Sequence, residues 1–257
     1  MSLARRAGPP ILALAALLGL WETLARALHV PLFLLPPPSV VLRTAVDHAG
    51  DLGASALTTA RAALIGFLLS GLLGVLGAVG LASSRVLERA LYPYTVFLQT
   101  VPIVAVAPLL VQWLGPGPRA VVASALIASV FPVIANALAG LRSVDPALRD
   151  LFRLYGAGRV ATLVKLEIPA SLPSIVTGLR VASGLAVIGT IVGEFVAGFS
   201  EDSAGLGITV LAASRQLETA LVFAAVLAAS LLGLAMFAGV NLAGNLLLRR
   251  WHPSEKG

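Results

Sequence analysis

The chain has 257 residues, 58% of them hydrophobic and only 12% charged, with a formal net charge of +6 and no cysteine. The apolar share lies above the roughly 45–50% of soluble domains and the charged share is about half theirs, which excludes an ordinary soluble protein. The absence of cysteine excludes disulfides and thiolate metal sites.

A membrane-spanning helix needs about 20 mostly apolar residues. Six segments meet that length, at residues 10–28, 60–82, 91–114, 119–140, 172–198 and 219–248. The expected fold class is therefore all-α and integral to the membrane, a single transmembrane domain over residues 1–257. Arg5 and Arg6 before the apolar run from Ile11 have the look of a secretory signal. The run continues through Trp21 and Leu24, however, and further spans follow, so it is read as a retained anchor helix. Pro36, Pro37 and Pro38 close that first segment, and residues 29–59 are expected to form a long connection along the outer surface.

The second segment carries small residues every four positions: Gly66, Ser70, Gly74, Ala78 and Ala82. That spacing allows close helix approach in lipid, either within one subunit or between two. The third segment holds Pro102 and Pro108, flanked by Gln99 and Gln112. Each proline removes a backbone donor, so a kinked or broken helix is expected. Broken helices are tolerated where they are buried in protein or line a water-filled cavity, which makes Gln99, Pro102, Pro108 and Gln112 pathway candidates. Gly115, Pro116, Gly117 and Pro118 mark the next turn. Asn136, in the fourth segment, is a further candidate for hydrogen bonding to a solute. Trp21, Trp113 and Trp251 fall near span ends, where interfacial anchoring is the expected role.

Between the fourth and fifth segments lies a polar island, residues 142–169, with eight of the chain's thirty Asp, Glu, Lys and Arg residues. Asp145 and Pro146 make a good helix start. Leu148, Leu151, Phe152 and Tyr155 then follow at i, i+3, i+4 and i+7, one face of a helix. Gly156 offers a stop. A second short amphipathic segment with Val160, Leu163 and Val164 is expected to end at Pro169. Such a pair of short helices suits either the membrane surface or the groove of a partner.

Orientation follows from counting Lys and Arg. With both termini in the cytoplasm, twelve cations (Arg5, Arg6, Arg85, Arg89, Arg142, Arg149, Arg153, Arg159, Lys165, Arg249, Arg250 and Lys256) lie inside against five outside (Arg26, Arg43, Arg61, Arg119 and Arg215). This bias accounts for the net positive charge without nucleic acid. It also puts the polar island inside. Glu194 is the notable charge within a span, and a carboxylate there is a pathway candidate by default. Its alternative is a structural hydrogen bond near the outer end of its helix. Arg180 lies 14 residues earlier, about 21 Å along a helix, and is expected near the inner surface in a structural role.

The spacing Asp150-Leu151-Phe152, three residues, Gly156, nine residues, Leu166-Glu167-Ile168-Pro169 resembles the EAA loop of bacterial ABC importer permeases. That pattern is Glu-Ala-Ala, three residues, Gly, nine residues, Ile, one residue, Leu-Pro. Here Asp replaces Glu, and Leu-Phe replaces Ala-Ala. The resemblance extends over most of residues 30–250 and is nearest to the nitrate/sulfonate/taurine and pyrimidine-precursor types. It is carried by Leu35-Pro36-Pro37-Pro38-Ser39, Val101-Pro102-Ile103, Phe131-Pro132, Gly140 to Pro146, Val192-Gly193-Glu194-Phe195 and Gly205-Leu206-Gly207.

The resemblance implies a type I importer fold in the bacterial inner membrane, working by alternating access. A second permease copy, two cytoplasmic ATPase subunits and an extracytoplasmic solute-binding protein would complete the assembly. The coupling loop would then cover about residues 142–169, with Leu148, Asp150, Leu151, Phe152, Tyr155, Gly156 and Ala157 at the ATPase contact. ATP and Mg are assigned to the partner. A phosphate-binding loop needs lysine directly after glycine, whereas Lys165 follows Val164 and Lys256 follows Glu255. The chain is accordingly expected to be non-catalytic. His29, His48 and His252 are scattered and form no metal cluster. The alternative class is an ion-gradient-driven secondary transporter, which would need no ATPase.

Overall fold

A computed structural model describes residues 3–197 and 204–248. Arg249, Arg250, Trp251 and Lys256 lie outside the described residues. Every regular element described is helical: α1 (Leu3–Ala27), α2 (Pro38–Asp47), α3 (Ala49–Ser83), α4 (Arg85–Gln99), α5 (Ile103–Leu114), α6 (Pro118–Arg142), α7 (Pro146–Leu154), α8 (Arg159–Thr162), α9 (Ile168–Ala197), α10 (Leu206–Arg215) and α11 (Thr219–Leu248). Among the described residues helix α3, helix α6, the run Arg159–Ala197 and helix α11 are each long and apolar enough to cross a membrane, and counting the bent pair α4–α5 as one broken span makes five, against the six expected.

Two connections depart from expectation. The stretch 29–59 is largely helix rather than an extended loop, since α2 begins at Pro38 and α3 already at Ala49. Asp51, Ser55, Thr58 and Thr59 lower the hydropathy there. The neighbouring alanines keep helix propensity high, and buried Leu52, Ser55 and Thr59 give the turn a face to pack. Between α8 and α9, the second amphipathic segment does not stop at Pro169. It passes through a π-helical turn, Leu163–Glu167, straight into α9. The Ile168 amide reaches back to the Leu163 carbonyl, five residues away. Widening the helix by one residue just before Pro169 makes room for a ring that cannot donate, so the proline is absorbed instead of terminating the helix.

The proline-rich third span is broken once, not twice. Helices α4 and α5 meet at 99° across Thr100–Pro102. Pro102 stands at the N-cap of α5, where it disfavours helical backbone in the residue before it. Pro108 sits inside a continuous α5 and Pro93 inside α4.

The core is a three-helix pack of α3, α6 and α9. The small-residue stripe of α3 faces α6 within the chain, and Gly66, Ser70, Gly74, Ala78 and Ala82 are all buried. A Cβ on Gly66 would stand 2.4 Å from Ala125 Cβ, and one on Gly74 would stand 2.7 Å from Val133 Cβ. The α6–α9 seam is built the same way, with Gly178 against Asn136 and Gly189 against Ala128. Close backbone approach replaces the missing hydrophobic force in lipid. Apolar layers follow the bundle: Phe67, Val133, Ala182 and Ala186 midway, and Ala78, Leu81, Leu138, Leu141 and Ile175 toward the polar island. Helix α11 flanks α9. Helix α1 joins chiefly at its C-terminal end, where Glu22 accepts from the amide and hydroxyl of Ser39 and Trp21 packs on Phe223 with ring centroids 5.5 Å apart. Its apolar residues from Ile11 to Leu24 are otherwise mostly exposed.

Candidate functional site

Helix α7 starts at Asp145, whose side chain accepts from the Ala147 amide at 2.8 Å. Pro146 occupies the first turn, and Gly156 ends the motif with φ +71°, in the left-handed region that favours glycine. No residue of the helix is buried. Leu148, Leu151, Leu154 and Tyr155 are exposed, Leu154 and Tyr155 by more than four-fifths, and Phe152 and Ala157 are half-buried. Asp150 is exposed and pairs with Arg153 at 3.2 Å. An amphipathic helix with its apolar side chains bare has the surface that a receiving groove would cover.

This exposed helix is firmly tied to the bundle. Glu167, 2% exposed, accepts at Oε1 from Arg149 Nε (3.1 Å) and Arg159 Nη1 (3.0 Å). Each guanidinium also donates to a carbonyl at the C-terminal end of a membrane helix. Arg149 Nη2 reaches Leu141 O of α6 at 2.7 Å, and Arg159 Nη2 reaches Ala82 O of α3 at 2.9 Å. One carboxylate thus links α7, α8 and the root of α9 to the ends of α3 and α6. The guanidinium ions satisfy carbonyls that helix ends leave open and lie at the negative pole of each helix dipole. Beside this node Arg142 pairs with Glu88, joining α6 to α4.

None of these three charges was among the expected site residues. The signal was present, since Arg159 and Glu167 lie inside the family motif and Arg149 directly precedes it. Their convergence on one oxygen needs the chain reversal at Gly156.

A second buried carboxylate lies at the other end of the bundle. Glu194, 4% exposed, accepts from Thr59 Oγ1 at 2.8 Å and from the Gly207 amide at 2.8 Å. Thr59 Oγ1 in turn accepts from the Leu206 amide at 2.9 Å. Glu194 and Thr59 together cap the N-terminus of α10, which has no side-chain cap of its own. A Cβ at Gly205 would lie 2.0 Å from Glu194 Oε1 and would push the carboxylate off its donors, while one at Gly207 would lie 2.8 Å from the Ile191 carbonyl. The carboxylate also borders a cavity of about 230 Å³ with Arg61, Gly117 and Val121. Arg180, on the same helix, donates to Asn245 Oδ1 of α11 at 2.9 Å.

The remaining pathway candidates are not gathered into one pocket. Gln99, Pro102, Pro108 and Gln112 are exposed along α4 and α5. Asn136 spends its amide on the Pro132 carbonyl of its own helix at 2.8 Å, in the α6–α9 seam.

These features define a class: a polytopic helical membrane protein presenting a short, ion-anchored amphipathic helix beyond the ends of its spans. The chain belongs to the family of binding-protein-dependent transport system inner membrane components, whose model matches residues 70–253. It is therefore a transport permease component of the ABC type and not a catalytic chain. It is 36% identical to the formylaminopyrimidine transport permease protein ThiX of Halalkalibacterium halodurans, over 93% of this chain and 94% of the relative. It is 34% identical to the riboflavin transport system permease protein RibX of Chloroflexus aurantiacus, over 94% and 89%. A probable ABC transporter permease protein of Haemophilus influenzae is 33% identical over 90% and 93%.

Proposed function

We propose that this chain, paired with a second copy, forms the translocation pathway of an ATP-driven importer and takes its power stroke through α7. The carrying observation is the combination of a bare apolar helix with the Arg149–Glu167–Arg159 node behind it. A partner ATPase, holding ATP and Mg, receives Leu148, Leu151, Phe152 and Tyr155 in a groove. Gly156 turns the chain back so that displacement of α7 is passed to α3, α6 and α9. Alternating access requires that the ATPase states contact α7 differently, because equal docking in both states shifts nothing. Both termini and residues 142–169 are cytoplasmic, and a solute-binding protein meets the opposite face. Gln99 at the end of α4 and Gln112 in α5, both exposed, face the second copy across the pathway.

The solute belongs to the nitrogen-heteroaromatic class, the chemistry named for the ThiX and RibX relatives. Mass spectrometry of the ligand copurifying with the solute-binding protein tests this, and an aliphatic sulfonate found there would refute it.

Coupling is tested in proteoliposomes containing permease, ATPase and binding protein. Phe152→Asp places a charge on the apolar face, and Gly156→Val strains the positive-φ turn. Uptake is expected to fall by at least about tenfold, the equivalent of about 1.4 kcal/mol of docking energy, while ATP hydrolysis continues. Full uptake in both variants would overturn the docking role.

A further inference from the structure

A cavity of about 550 Å³ opens between α4 and the corner where α6 meets α7. It is lined by Arg85, Arg89, Arg142, Arg149, Glu88, Tyr92 and Pro93. Four guanidinium groups thus face one carboxylate. Arg142 is taken by Glu88 and Arg149 by Glu167, but Arg85 and Arg89 have no ion-pair partner among the described residues. Arg142 Nε is buried without a hydrogen-bond partner, and an unmet buried donor of this kind costs about 1–3 kcal/mol. The excess of cationic donors calls for an anion with several acceptor oxygens.

The surroundings narrow the choice. No residue of α4 is buried. Beyond its arginine-bearing first turns it exposes Leu91, Tyr94, Val96, Phe97 and Leu98. A helix with guanidinium groups at one end and bare apolar side chains along the rest suits an amphiphile, with an anionic head at the arginines and hydrocarbon along the helix. Basic pockets between membrane helices on the cytoplasmic side hold anionic head groups by this combination, and the planar guanidinium fork matches phosphate oxygens.

We propose that this cavity binds the phosphodiester head group of an anionic phospholipid, with its acyl chains laid along α4. The site lies beside the Arg149–Glu167 node, so a bound lipid would help hold α4 against the α6–α7 corner. The inference goes beyond the transport role and rests on it only for naming the cytoplasmic leaflet.

The test is native mass spectrometry of the intact permease complex after extraction, with phosphatidylglycerol or phosphatidylcholine added back in mixed micelles. Wild type is expected to retain phosphatidylglycerol and not phosphatidylcholine. The double variant R85Q/R89Q should lose at least about tenfold of that retention, since each surface cation contributes about 1 kcal/mol to anionic lipid binding. R43Q/R119Q, which removes two exposed cations of α2 and α6, should match wild type and so controls for net charge. Three results would overturn the proposal. One is equal retention by R85Q/R89Q and wild type. Another is displacement of the lipid by excess inorganic phosphate, which would make the cavity a free-phosphate site. The third is unchanged lipid retention in R85Q/R89Q together with loss of the ATPase subunits, which would give these arginines to the protein partner. None of these readouts depends on transport, so failure here is distinct from failure of the coupling role.

Discussion

Among the described residues two carboxylates are buried, one at each end of the bundle, and they are neutralised in opposite ways. Glu167 is met by two guanidinium ions on long side chains, themselves partly exposed. Glu194 is met by one hydroxyl and one backbone amide, short neutral donors held close to their helices. The first arrangement keeps its links while the helices it joins shift, because long side chains can follow. The second is rigid, since its donors belong to backbone and to a β-branched residue. The Glu167 node thus suits a moving joint and the Glu194 node a fixed one. A buried ion pair is weak evidence for stability in itself, but removing one partner of it is costly.

The harshest way to break the comparison is Gly205→Leu. Its Cβ would take the place of the Glu194 carboxylate, which would have to leave Thr59 and the Gly207 amide and stay buried without donors. A loss above about 4 kcal/mol is expected, read as failure to recover folded protein from membranes. Normal yield would show the Glu194 node to be adaptable. Next is Glu167→Ala, which strands Arg149 and should cost about 3–5 kcal/mol. Because the joint is local, amide exchange is expected to rise in residues 146–157 more than in α10. Uniform loosening of both ends would contradict separate roles. Thr59→Val removes a donor to Glu194 and an acceptor for Leu206, at about 1–3 kcal/mol, and should lower the melting temperature without disturbing exchange in α7. The smallest effect belongs to Asp145→Ala. Loss of the cap costs about 1 kcal/mol and should fray α7 at its start, visible as faster exchange at Ala147 and Leu148. An unchanged rate there would mean that the node alone holds the helix.

Much of the architecture was readable from residue order. Span positions follow from hydropathy because lipid leaves the backbone no alternative to helix. The cap at Asp145 and the turn at Gly156 follow from local stereochemistry. Three features were not readable. Helical structure in residues 38–59 was hidden by polar residues that lower hydropathy, of which Ser55 and Thr59 face other helices. The passage of α8 into α9 was hidden by Pro169, whose usual reading as a stop ignores the π-helical turn that accommodates it. The α4–α5 span was expected to kink or break, but which proline makes the corner was hidden because Pro93, Pro102 and Pro108 carry the same local signal. Only packing decides which of them becomes a corner.

The sequence by itself determined a polytopic helical chain, its family, and the exposed amphipathic helix, since these depend on composition, period and spacing. The tertiary structure alone decided what the buried charges do. Glu167 gathers Arg149 and Arg159 across a chain reversal, and Glu194 meets Thr59 from a position 135 residues away. A carboxylate's role depends on which donors lie within about 3 Å of it, and helix periodicity does not specify which distant helix supplies them.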